Sequence, residues 1–156
     1  MRPAERGGRV GPAAMLLVDT YVGPSAIEGV GVFAAQKIAK GQLIYRFVPE
    51  FDRLIAKAEL AGLPESTRRF VERYTYRHPT DAAFLVLDAD NGRHMNHSEA
   101  PNTDFRDLKL GYAIADIEPG EEITCNYAEF EPEFEILPPV AQAGQARGAS
   151  PNGAGR

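Results

Sequence analysis

The apolar residues of this chain come in short runs broken by glycine and proline, which limits the fold more than any other feature. Residues 16–22, 30–34, 42–48, 83–87, 112–115 and 122–126 read as β-strands. Residues 52–61 have helical spacing, stopped by Gly62, Leu63 and Pro64. Residues 65–76 form the best helix: Ser66 is placed to cap it, and Phe70, Val71 and Tyr74 share a face. Many short strands with one or two helices predict a β-rich α+β fold rather than alternating βαβ units.

Two phrases are alike. Ile38-Ala-Lys-Gly41-Gln-Leu-Ile44 and Ile117-Glu-Pro-Gly120-Glu-Glu-Ile123 each run from an apolar residue through a glycine turn into a strand. Two β-turns of similar composition are a sufficient account at this level.

Residues 1–14 and 138–156 are rich in Gly, Pro, Ala and Arg without apolar periodicity, and read as a disordered leader and tail around one folded unit, 15–137. Each tail carries a net +2, so the overall −5 leaves −9 on residues 15–137. An acidic body disfavours direct nucleic-acid binding and suits a basic protein partner. No run approaches a membrane span and no signal-peptide pattern follows Arg2, Arg6 and Arg9. A cytoplasmic location is therefore expected, with a nuclear or host-targeted one also compatible. The single Cys125 allows no intrachain disulfide, and with only His78, His94 and His97 besides, a cysteine-rich zinc cluster is excluded.

Three stretches carry chemistry. In Gly29-Val30-Gly31, two glycines let a backbone approach a ligand closely, but they also suit a tight turn between strands. Neither a dinucleotide fingerprint nor a Walker loop is completed. Arg93-His-Met-Asn96-His97-Ser98-Glu-Ala-Pro101-Asn102 packs donors and acceptors into a short span. His97 could be a base or a satisfied buried histidine, and no nucleophile elbow accompanies it. Gly120-Glu-Glu-Ile-Thr-Cys125-Asn126-Tyr127 places a tyrosine at the end of a strand, as core or as a hydroxyl that orients a reacting amine.

In this order the three stretches resemble the SET-domain family of protein lysine methyltransferases, from about Tyr21 to Tyr127. The resemblance implies a β-clip fold of several small sheets with a C-terminal pseudoknot. It also implies S-adenosylmethionine (SAM) as cofactor and a lysine-containing protein as substrate. By position, Gly29, Val30 and Gly31 would give backbone contacts to the cofactor, Asn96 a side-chain contact and His97 a backbone contact to the adenine. Tyr127 matches the catalytic tyrosine, and Arg93 would brace its loop. Phe105 falls near the position that sets how many methyl groups are added. No metal enters this chemistry, and no dedicated general base is required, because burial and a nearby sulfonium both depress the lysine pKa. Small members can form homodimers.

The chain also departs from the family pattern. Cys125 stands two residues before Tyr127 where many members have an aromatic, and Glu99 stands where many have a zinc-ligating Cys. Phe130 and Phe134 are then the candidates to cover the adenine. Phe47-Val48-Pro49 replaces a Tyr-x-Gly. Phe47 in the substrate channel would thus cost a hydroxyl that Tyr74 or Tyr76 could restore. These departures keep open an alternative: a non-catalytic module of the same fold that binds peptide or cofactor.

Overall fold

The computed structural model describes residues 15–132. Phe134 and the expected leader and tail lie outside the described residues. The strands are β1 (Thr20–Pro24), β2 (Val30–Ala34), β3 (Leu43–Arg46), β4 (Arg53–Ala56), β5 (Thr75–Arg77), β6 (Phe84–Leu87), β7 (Asn96–His97), β8 (Thr103–Asp104), β9 (Leu110–Ala113) and β10 (Glu122–Cys125). One α-helix, α1 (Glu65–Tyr74), precedes β5. They form three small sheets, ordered β1-β2-β10-β7, β3-β9-β8 and β4-β6-β5. This is the β-rich architecture expected from the short apolar runs.

Two local expectations are corrected. Residues 52–61 are not a helix. Arg53–Ala56 pairs antiparallel with Phe84–Leu87, and only Lys57–Gly62 turns, as a 3₁₀ segment. Four residues satisfy either periodicity, and the apolar edge of β6 decides for strand. The helix at 65–74 is not capped by Ser66: Pro64 holds the cap position without a side-chain bond. Tyr76 falls in β5, where it pairs with Val86.

The two similar phrases turn out to be partners. Ile38 and Ile117 exchange both backbone hydrogen bonds, each at 2.9 Å, and both side chains are fully buried. Gly41 and Gly120 sit at φ 85° and 87°, the left-handed region that favours glycine. Gly41 N–H donates to Ala113 O, and Gly120 N–H donates to Ala34 O. The turns are thus related by an approximate two-fold through the Ile38–Ile117 bridge, in a core shared with Val32, Ile44 and Ile123.

The last strand enters the middle of the first sheet. β10 pairs antiparallel with β2 and parallel with β7, setting Thr124 beside Asn96 and Cys125 beside His97. Asn102 fastens the junction: its Nδ2 donates to Glu122 O at 2.8 Å and its Oδ1 accepts from Thr124 N–H at 2.9 Å. The three chemical stretches of the sequence are therefore neighbours across one sheet.

Candidate active site

A cavity of about 650 Å³ opens where this sheet meets α1, β5 and the end of β6. Its size is ordinary for a small-molecule site. Gly29, Val30, Asn96 and Tyr127 line it. Gly29 has φ 49°, and its carbonyl accepts from Ser25 N–H at 3.0 Å, closing the loop before β2. Gly31 lies just behind. A β-carbon there would meet the Glu122 carboxyl carbon at 2.8 Å and Asn96 Nδ2 at 3.2 Å.

Asn96 and Glu122 organise this wall. Asn96 Nδ2 donates to Glu122 Oε1 at 2.9 Å, Val30 O at 3.0 Å and Glu28 O at 3.2 Å. Ser25 Oγ donates to the Glu122 carboxylate at 2.8 Å. At the rim, Arg73 of α1 forms an ion pair with Glu28. Arg93 reaches Asp90 O and Ala89 O only at 3.5 Å, across its own loop.

His97 has a structural part. Tyr127 N–H donates to its Nδ1 at 3.1 Å, so that nitrogen is unprotonated, and the two rings pack 5.2 Å apart. The Tyr127 hydroxyl donates to Met95 O at 2.8 Å, and burial pushes its pKa well above the usual phenol range. Tyr127 is therefore a neutral hydroxyl at any working pH.

The aromatic side of the cavity differs from expectation. Phe47 is not among the lining residues; its ring packs edge-on against His78, 5.2 Å away. Phe47 lies just past the end of β3, and it is Tyr45, within the strand, that lines the cavity. Tyr76 lines it too, and the two hydroxyls lie 2.5 Å apart. Both contact Asp88 Oδ1, at 3.1 Å from Tyr45 and 3.0 Å from Tyr76. Phe105 is buried, edge-on to Tyr45, and packs 5.2 Å from Phe130. Phe130 also packs on Tyr76, placing it among the aromatics. Tyr74 lines the cavity with its ring against His94. Burial pushes the Cys125 thiol far up, which makes it inert.

Sequence reasoning did not single out Tyr45, Asp88 or Glu122. The one signal for Asp88 was its place: an acid ending the apolar run of β6 just before the polar stretch.

A profile of the SET domain matches residues 29–128. The chain belongs to the SET-domain family. The H3 lysine-4 specific histone-lysine N-methyltransferase of Schizosaccharomyces pombe is 29% identical over 141 residues. That match covers 82% of this chain but 15% of the relative. The SET fold here is similar to that of a putative histone methyltransferase of Plasmodium falciparum, with TM-score 0.51 and 24% identity. It covers 70% of this chain and 93% of that one. It is also similar to the Chaetomium thermophilum Polycomb Repressive Complex 2, with TM-score 0.55 and 25% identity over 78% of this chain and 17% of that one. No helix among the described residues of this SET domain is long and apolar enough to cross a membrane.

Proposed function

We propose that this chain transfers a methyl group from SAM to a lysine side chain of a protein substrate. The observation that carries the reading is convergence. Gly29 and Val30, Asn96, and Tyr127 stand far apart in sequence, yet all line one cavity through the β2-β10-β7 arrangement.

The residues present fit a cofactor bearing an amino-acid group. Gly29 has open space where a β-carbon would stand, and Gly29 and Val30 present backbone to the cavity. The Asn96 amide is fixed by Glu122 and can offer its remaining polar capacity to a ligand. When bound, SAM supplies an electrophilic methyl group on a positively charged sulfur. The protein's part is to hold the amine in line and exclude water. Tyr45, Tyr76, Phe105 and Phe130 form an aromatic sleeve suited to an alkyl stem, and Tyr127, which lines the same cavity, orients the nitrogen. The acidic body favours a basic protein segment.

The test is calorimetric SAM binding followed by methyl incorporation into histone H3 and a lysine-rich protein. We expect binding and transfer by the wild type. Binding without transfer, unchanged by Tyr127→Phe, would support the non-catalytic alternative.

A further inference from the structure

The methyl-transfer reading leaves Asp88 without a task. It is buried, it lines the cavity, and its Oδ1 holds the Tyr45 and Tyr76 hydroxyls. The three oxygens come from β3, β5 and the residue after β6, and each lies within hydrogen-bond reach of the other two. The charges that act on Asp88 are those of Asp52 and Asp90, both acidic, and the Cys125 thiol feels its field from β10. A buried carboxylate supported by two neutral hydroxyls retains a strong demand for a cation or a proton.

We propose that Asp88 takes up the proton of the substrate ammonium, acting through the Tyr45 and Tyr76 hydroxyls. The proposal rests on the methyl-transfer reading and revises the sequence-based expectation that no base is required. In the step, one ammonium N–H bond breaks and its electron pair stays on nitrogen. The proton passes to a tyrosine oxygen as that hydroxyl's own proton passes to Asp88 Oδ1. The carboxylate becomes a carboxylic acid, the tyrosine is neutral again, and the amine is left with a free lone pair. Water at the cavity mouth takes the proton from Asp88 before the next turnover. Removing two opposite charges from a buried site favours the step. Burial holds both phenols far above their usual range, so the tyrosines relay a proton without keeping a charge. The Asp88 carboxyl is pushed up to about 7 by burial, with Asp52 and Asp90 adding to the shift, which suits a base near neutral pH.

The pH profile of kcat/KM separates this from a structural role. With Asp88 as acceptor, the wild-type rate should rise to about pH 7 and then stay level until the substrate amine titrates near ~10.4. Asp88→Asn should lower the rate about 1,000-fold at pH 7. The variant rate should then climb tenfold per pH unit, recovering toward wild type near the amine's own pKa. A wild-type rate that climbs tenfold per unit throughout would overturn the proposal, as would a plateau retained in Asp88→Asn. Should that variant fail to fold, Asp52→Asn replaces it. Removing the Asp52 charge should move the wild-type inflection to lower pH, and an unmoved inflection counts against the role. Carboxyl carbon NMR of the ligand-free protein gives a readout without turnover. A signal titrating near pH 7 should be present in wild type and missing in Asp88→Asn; no such signal would sink the assignment. A wild type that binds no SAM and transfers no methyl would instead remove the functional reading itself.

Discussion

Gly31 and Glu122 face each other so closely that no side chain fits between them. The Glu122 carboxylate fills the space beside Gly31 and is tied there by Ser25 and Asn96. A loop, a strand and the N-H-S segment thus meet on one carboxylate. Gly31→Ala should push Glu122 off both partners, at about 1–3 kcal/mol by analogy with overpacked cores. Differential scanning calorimetry should show a lower melting temperature, and SAM titration a weaker affinity. A variant that binds SAM as wild type does would show that this wall is not the cofactor's.

Tyr127→Phe removes only the hydroxyl that donates to Met95 O, leaving the ring against His97. Methyl transfer should drop by about 100-fold or more, with SAM affinity held within a few-fold. Equal losses in binding and turnover would mean that the hydroxyl supports the fold rather than the reacting amine.

Phe105 faces Gly111 across β9, where an added β-carbon would lie 2.7 Å from Phe105 Cζ. The ring is therefore held against a bare backbone. Phe105→Tyr adds a hydroxyl to a tight aromatic group and should shift products toward monomethyl-lysine. Mass spectrometry of the methylated substrate measures the shift, and an unchanged distribution would remove Phe105 from the channel's selectivity.

Asp52 and Asp88 give stability a pH dependence of definite sign. Burial raises them from an ordinary aspartate value to about 6 and about 7. Asp52 Oδ2 is buried with no hydrogen-bond partner among the described residues. Between about pH 4 and those values the native state binds more protons than the unfolded chain, so raising the pH lowers stability. The melting temperature should carry this downward contribution from about pH 4 to about pH 7, and Asp52→Asn should flatten part of it. Parallel curves for wild type and variant would show that Asp52 is not the source.

What could be read in advance was what is local. Gly29-Val30-Gly31, Asn96-His97 and Tyr127 announce themselves because their chemistry is written in consecutive residues. The aromatic sleeve and its acid do not, because Tyr45 comes from β3, Tyr76 from β5 and Asp88 from just after β6, and each looks ordinary in its own segment. The hydroxyl that Phe47 lacks is present at Tyr45, because the cavity is lined from within β3 and Phe47 falls just beyond its end. The likeness of the Ile38 and Ile117 turns was visible, but their pairing needs the third dimension. The few apolar residues of 52–61 fit either periodicity until β6 is present to pair with Arg53–Ala56.

The Ile38–Ile117 bridge can be tested alone. Ile117→Ala should cost about 2–5 kcal/mol, measured by urea unfolding. Adding Ile38→Ala should cost less than a second full increment, because the two share one contact. Strict additivity would show that the turns are stabilised separately.

β10 is flanked by strands that come much earlier in the chain. During synthesis, β2 and β7 leave the ribosome first with the slot between them still empty. A nascent chain cut short before residue 122 would hold most of the cavity's residues but not its central strand. If the cavity binds SAM as proposed, ligand protection of the nascent chain should switch on in a single late step, once β10 has emerged.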